Sequence, residues 1–109
     1  MLDLYTAYNL DGIDIDWEYP GQEGNPGNCV SADDTANFLL FLQLLRATLP
    51  RTAKITAAVQ PEPLVGSDGN PMADVSEFAK VLDWVLIMNY DVWGCMYSCP
   101  SSLLSLTPP

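Results

Sequence analysis

Between Leu10 and Pro20 the chain reads LDGIDIDWEYP, an alternation that constrains the fold more than any other feature. Ile13, Ile15 and Trp17 occupy odd positions, and Asp14, Asp16 and Glu18 occupy even ones. Successive side chains of a β-strand point to opposite faces, so the apolar residues share one face and the acids the other. At about 3.4 Å per residue, successive acids have Cα atoms about 7 Å apart. Acids on a strand ordinarily mark a solvated edge. The apolar residues beside these need cover, however, and parallel sheets bury both faces. The expectation is a poorly solvated row of acids, in which burial and like charge keep at least one carboxyl protonated near neutral pH. Glu18, last in the row and nearest the loop, suits a general acid. Trp17 faces away from the acids and is expected in the core. A divalent-cation site is the rival chemistry. An EF-hand loop needs a central Gly and a distal Glu at its own spacing, which DIDWEYPGQEGN does not supply.

Two more strands are expected, KITAAVQ at 54–60 and DWVLIMNYD at 83–91, each bounded by turn residues. Trp84 and Met88 are expected to pack. Between the first two strands, Phe38, Leu42, Leu45 and Leu49 recur at helical spacing. Asp33 or Asp34 can cap that helix, and Pro50 stops it. ADVSEFAKVLD, 73–83, predicts a shorter helix capped at Asp74. The order β-α-β-α-β implies an α/β fold with a parallel sheet. Loops rich in Gly, Pro and Asn follow the first two strands, at the end where such folds place their sites.

Composition removes several chemistries. The chain has no histidine, so it builds neither a Ser-His-Asp or Cys-His nucleophile nor a His-rich zinc site. Any general acid or base must be Asp, Glu, Tyr, Lys or Cys. Its 109 residues carry a net charge of −10 with four basic side chains. Nucleic acid and anionic membrane surfaces are therefore poor partners, and a neutral substrate or a cation suits it better. Of Cys29, Cys95 and Cys99, at least one is unpaired within the chain; Cys95 and Cys99 form either a small disulfide loop or two thiols. MLDLYTAYNL lacks a basic start and a long apolar run, so it is not expected to act as a secretory signal, and FLLFLQLL is too short to span a bilayer.

DGIDIDWEYP resembles the D-G-x-D-x-D-x-E signature of glycoside hydrolase family 18, the chitinase family, through Asp11, Gly12, Asp14, Asp16 and Glu18. MNYD, 88–91, is similar to the family's M-x-Y-D motif, and VLDWVLIMNYDVWG resembles fungal members. The resemblance implies a partial (β/α)8 TIM barrel, about three parallel βα units of eight, covering about strands four to six. A whole barrel takes about 250 residues. Residues 1–94 would be part of a catalytic domain. CMYSCPSSLLSLTPP, 95–109, would be an unaligned and disordered tail, as in a truncated or mis-spliced product.

The implied activity is hydrolysis of β-1,4 N-acetylglucosamine linkages in chitin, with no cofactor or metal, by a substrate-assisted retaining mechanism. Glu18 would protonate the glycosidic oxygen and then act as base on water. Asp16 would orient the sugar's acetamido group, Asp14 would share a proton with Asp16, and Tyr90 would donate a hydrogen bond to the acetamido group. Asp11, Tyr19, Met88, Asp91 and Trp93 would bind substrate. The implied partners are chitin or N-acetylglucosamine oligosaccharides in an extracellular setting, not nucleic acid or membrane. Alternatives within the resemblance are an endo-acting N-glycan glycosidase and a non-catalytic sugar-binding protein. Three units alone would leave two sheet edges unpaired and the acids open to water, so weak binding and poor turnover are expected of the isolated chain.

Overall fold

Three short strands form one parallel sheet in the order β1-β2-β3, with β1 at Gly12–Ile15, β2 at Lys54–Val59 and β3 at Trp84–Ile87. The computed structural model describes residues 1–90, so the expectations for Asp91, Trp93, Cys95 and Cys99 lie outside the described residues. Parallel pairing sets Asp14 beside Thr56, and Thr56 beside Trp84. Gly12 makes the first pairing possible: a Cβ there would come within 2.8 Å of the Lys54 Cβ.

The helix α2, Asp34–Thr48, crosses from β1 to β2. Phe38, Leu42, Leu45 and Leu49 are buried, as their spacing predicts. They pack with Ala53, Ile55, Ala57, Phe78 and Val81 in one core, in which Leu42 and Ile55 are wholly enclosed. Asp33 holds the N-cap position without a side-chain bond. The carboxylate of Asp34 instead accepts the Ser31 N–H at 2.9 Å and the Gly21 N–H at 3.4 Å.

The structure departs from the sequence reading in three places. The helix α3 spans only Ser76–Ala79, and Val75 rather than Asp74 is its N-cap. Asp74 serves the turn differently, accepting the Ser76 N–H at 2.8 Å. The sequence patterning gives no warning of α1, Leu2–Tyr8, because none of its residues is buried and no apolar stripe marks it. Finally, β3 is shorter than 83–91 and all four of its residues are exposed, Trp84 at 51% and Ile87 at 62%. Trp84 and Leu86 share the face of Asp14, which is open to water. Val85 and Ile87 point to the helix side, where a four-residue α3 is too short to cover them.

An ionic knot holds the N-terminal ends of β2 and β3. Arg46 donates to the Val81 and Ala53 carbonyls, both at 2.8 Å, and to the Asp83 carboxylate at 2.5 Å. The Lys54 ammonium reaches Asp83 at 2.9 Å, and the Asp83 carboxylate also accepts the Ile55 N–H at 3.0 Å. The Ile55 amide first, then Lys54 and Arg46, hold the Asp83 carboxyl well below the usual carboxylate range.

Two predictions follow from this packing and this knot. Leu42→Ala should lose about 2–5 kcal/mol in urea unfolding, whereas Leu44→Ala, on the exposed side of α2, should stay within about 0.5 kcal/mol. Because the folded-state pKa of Asp83 is depressed, its stabilisation is complete above the unfolded carboxylate pKa of about 3.9 and is lost as pH falls below it. Asp83→Asn should therefore flatten the acid limb of the plot of urea midpoint against pH. An unchanged limb would show that the knot contributes no pH-dependent stability.

Candidate active site

Of the three acids in the row, only Asp14 lies within β1; Asp16 and Glu18 follow its end at Ile15. All three are exposed, which overturns the expectation of a poorly solvated row. Alternation correctly sets Asp14 on the face away from the helices, but that face stays open to water. Trp17 is likewise not interior: it is 37% exposed and meets the core edge-on, its ring 5.5 Å from that of Phe38.

Asp14 is held by one strong contact. The Thr56 hydroxyl donates to its carboxylate at 2.6 Å, and Thr56 itself is buried. Asp11 is exposed, and its carbonyl accepts the Lys54 N–H at 3.0 Å, fastening the entry to β1. Met88 is buried just past β3, with its N–H donating to the Val59 carbonyl at 2.9 Å. Tyr90 stands mostly in solvent. Both residues follow the last residue of β3, so strand alternation does not make them share a face.

Tyr19 brings the strand ends together. Its half-buried phenol lies beside Glu18 and Gln60 and close enough to Tyr90 to feel it. Burial pushes the Tyr19 phenol up from its ordinary pKa; the Gln60 hydrogen bond opposes this, and the neighbouring Glu18 charge adds to it. The phenol therefore stays a proton-bearing donor through neutral pH. The Gln22 amide donates to the Gln60 side-chain carbonyl at 3.3 Å, and the Gln22 N–H donates to the Tyr19 carbonyl at 3.2 Å. Glu18, Tyr19, Gln60 and Tyr90 thus gather at the C-terminal end of the sheet. This open wall offers a carboxyl to give or take a proton and phenol and amide groups for a polar, uncharged ligand.

Sequence reasoning missed Thr56 and Gln60. Thr56 matters through its register opposite Asp14, which one sequence does not reveal; Gln60 carried a weak signal, as a polar residue closing a predicted strand. Among the described residues, no three His, Cys, Asp or Glu side chains group as a metal site requires. No helix among them is long and apolar enough to cross a membrane.

Comparison with known proteins agrees with the two sequence motifs. The family model described as Glycosyl hydrolases family 18 matches residues 1–104. A chitinase-like effector of Moniliophthora perniciosa is 48% identical over 96 residues, which are 86% of this chain and 22% of that protein. Chitinase A1 of Niallia circulans is 32% identical over 85% of this chain and 14% of its own length. The crystal structure of the chitinase RmChi1 from Rhizomucor miehei matches with a TM-score of 0.81 and 35% identity, over 85% of this chain and 26% of that one. The chain thus spans roughly a quarter or less of these proteins, and its three parallel strands correspond to part of their TIM-barrel domains.

The Asp14 contact generates a prediction. Thr56→Val keeps the side-chain shape and removes the donor, so it should cost about 1 kcal/mol in urea unfolding. No loss would mean that water replaces the Thr56 hydroxyl at Asp14 without penalty.

Proposed function

This chain belongs to glycosyl hydrolases family 18, and we propose that it carries the proton-donating wall of a domain that cleaves β-1,4 N-acetylglucosamine linkages in chitin. One observation carries the proposal: Glu18, closing the D-G-x-D-x-D-x-E signature, stands with Tyr19, Gln60 and Tyr90 at the C-terminal end of the parallel strands. In this proposal Glu18 donates its proton to the glycosidic oxygen as the bond to the anomeric carbon breaks. The acetamido oxygen of the same sugar attacks that carbon, so no enzyme nucleophile is needed. Asp16 orients the acetamido group and balances the positive charge of the cyclic intermediate. Asp14, secured by Thr56, shares a proton with Asp16, and Tyr90 donates a hydrogen bond to the acetamido group. Glu18 then takes a proton from water, whose oxygen opens the intermediate with net retention.

Asp11, Tyr19, Met88, Asp91 and Trp93 complete the proposed substrate contacts. Residues 1–94 form the catalytic portion, acting outside the cell. A neutral polysaccharide meets no electrostatic opposition from a chain of charge −10. A second reading, sugar binding without catalysis, is favoured by the relative named a chitinase-like effector and by the exposure of Glu18.

Incubating the pure chain with an N-acetylglucosamine hexamer separates the two, with binding followed by calorimetry and products by mass spectrometry. The expected result is weak binding and slow cleavage, with Glu18→Gln reducing cleavage by about 10²–10⁴-fold and leaving binding in place. Cleavage that survives Glu18→Gln would remove Glu18 from the acid role. Binding with no cleavage by the unaltered chain would favour the non-catalytic reading.

A further inference from the structure

After Tyr19 the chain doubles back on the turn that carries Glu18, and the point of contact is Gly24. A Cβ at residue 24 would overlap the Glu18 carbonyl oxygen and come within 2.8 Å of its carbonyl carbon and 3.5 Å of the Tyr19 nitrogen. Gly24 has no left-handed φ, so the requirement at this position is room rather than conformational freedom. The segment that delivers Gly24 is fastened at both ends by one carboxylate. Asp34, the first residue of α2, accepts the Gly21 N–H and the Ser31 N–H. Between those ends the Gln22 amide ties the loop to Gln60 on the β2 side, and the Glu23 carboxylate accepts the Gly27 N–H at 3.0 Å. The loop is therefore a fixed backstop pressed against the Glu18 peptide, and a side chain at 24 must either push that peptide or lift the loop.

We propose that Gly24 is a positioning residue, whose backbone seats against the Glu18 peptide and sets the direction in which the Glu18 carboxyl and Tyr19 phenol project beyond the end of β1, with Asp34 as the clasp that holds it there. The role in catalysis rests on the assignment of Glu18 as the acid. Gly24 touches no substrate in this arrangement; it acts through Glu18 and Tyr19. Because a 1 Å misplacement of a reacting group can cost as much as 10²-fold, small movements of this peptide matter.

The test uses isotope-labelled full-length chain, with the Glu18 and Tyr19 amide signals and the Glu18 side-chain carboxyl signal followed by NMR. Affinity for an N-acetylglucosamine tetramer is measured in parallel. Gly24→Ala should displace all three signals and, through the moved Tyr19 phenol, weaken tetramer binding about tenfold, as the loss of one hydrogen bond does, while the core signals of Leu42 and Ile55 hold their places. Asn25→Ala, an exposed neighbour in the same loop, should change neither. Asp34→Ala, which frees the Gly21 and Ser31 amides, should move the same Glu18 and Tyr19 signals and keeps the test decisive should Gly24→Ala not fold. Unmoved Glu18 signals in folded Gly24→Ala, or in Asp34→Ala in its place, overturn the proposal. An unaltered chain that fails to bind the tetramer would sink the chitin reading alone, since the NMR comparison still decides the positioning role.

Discussion

The geometry at the upper end of the sheet depends on the ionic knot at its lower end. Arg46, in the last turn of α2, bonds two backbone carbonyls and one carboxylate, so it joins the helix to the approaches of both β2 and β3. Asp83 fixes those two strands axially: its carboxylate accepts the Ile55 N–H, and its own N–H donates to the Ile55 carbonyl at 2.8 Å. The register then runs on from there, setting Thr56 beside Trp84 on one side and beside Asp14 on the other. Exposed ion pairs usually contribute little by themselves. This one differs because Arg46 and Asp83 also satisfy backbone groups, which makes register and ionisation one event. The Thr56 bond to Asp14 is a downstream result of it.

Much of the framework was legible because it is local. The helical spacing from Phe38 to Leu49 and the β-branched run KITAAVQ each announce an element without reference to anything distant. Alternation in LDGIDIDWEYP told which residues share a face. It could not tell what lies over that face, and so the acids were expected in a poorly solvated interior yet stand in water. The same limit applies to DWVLIMNYD, an apolar run whose strand was legible and whose exposure was not.

The candidate site was half legible for a related reason. Glu18, Asp16, Asp14 and Tyr90 belong to short motifs that a single sequence displays. Their supports do not: Thr56 lies 42 positions from Asp14, Gln60 lies 38 from Gln22, and Asp34 lies 13 from Gly21. Each is an ordinary residue for its place, a Thr in a strand, a Gln at a strand end, an Asp at a helix start. Only folding gives them partners. Gly24 is closer in sequence, yet in a loop already rich in Gly and Pro nothing distinguishes the glycine that needs room from those that need a turn.

The exposed acids and the exposed β3 have one cause. A three-stranded sheet with helices on one side covers the face of Ile55 and Ala57, and leaves the face of Asp14, Trp84 and Leu86 to solvent. The residues on that face are of two incompatible kinds for an open surface: carboxylates, which water stabilises, and a Trp and a Leu, which it does not. They become compatible when a further wall stands opposite, with the apolar side chains packed and the carboxyls left facing an enclosed space. Enclosure also strengthens every interaction between a carboxyl and a bound polar ligand, because the effective dielectric falls from that of water toward that of protein. The chemistry of the row is therefore set jointly by the residues in it and by what faces them. The backstop at Gly24 differs in kind, since it acts through direct contact and holds Glu18 in the same direction whether the opposite side is water or protein.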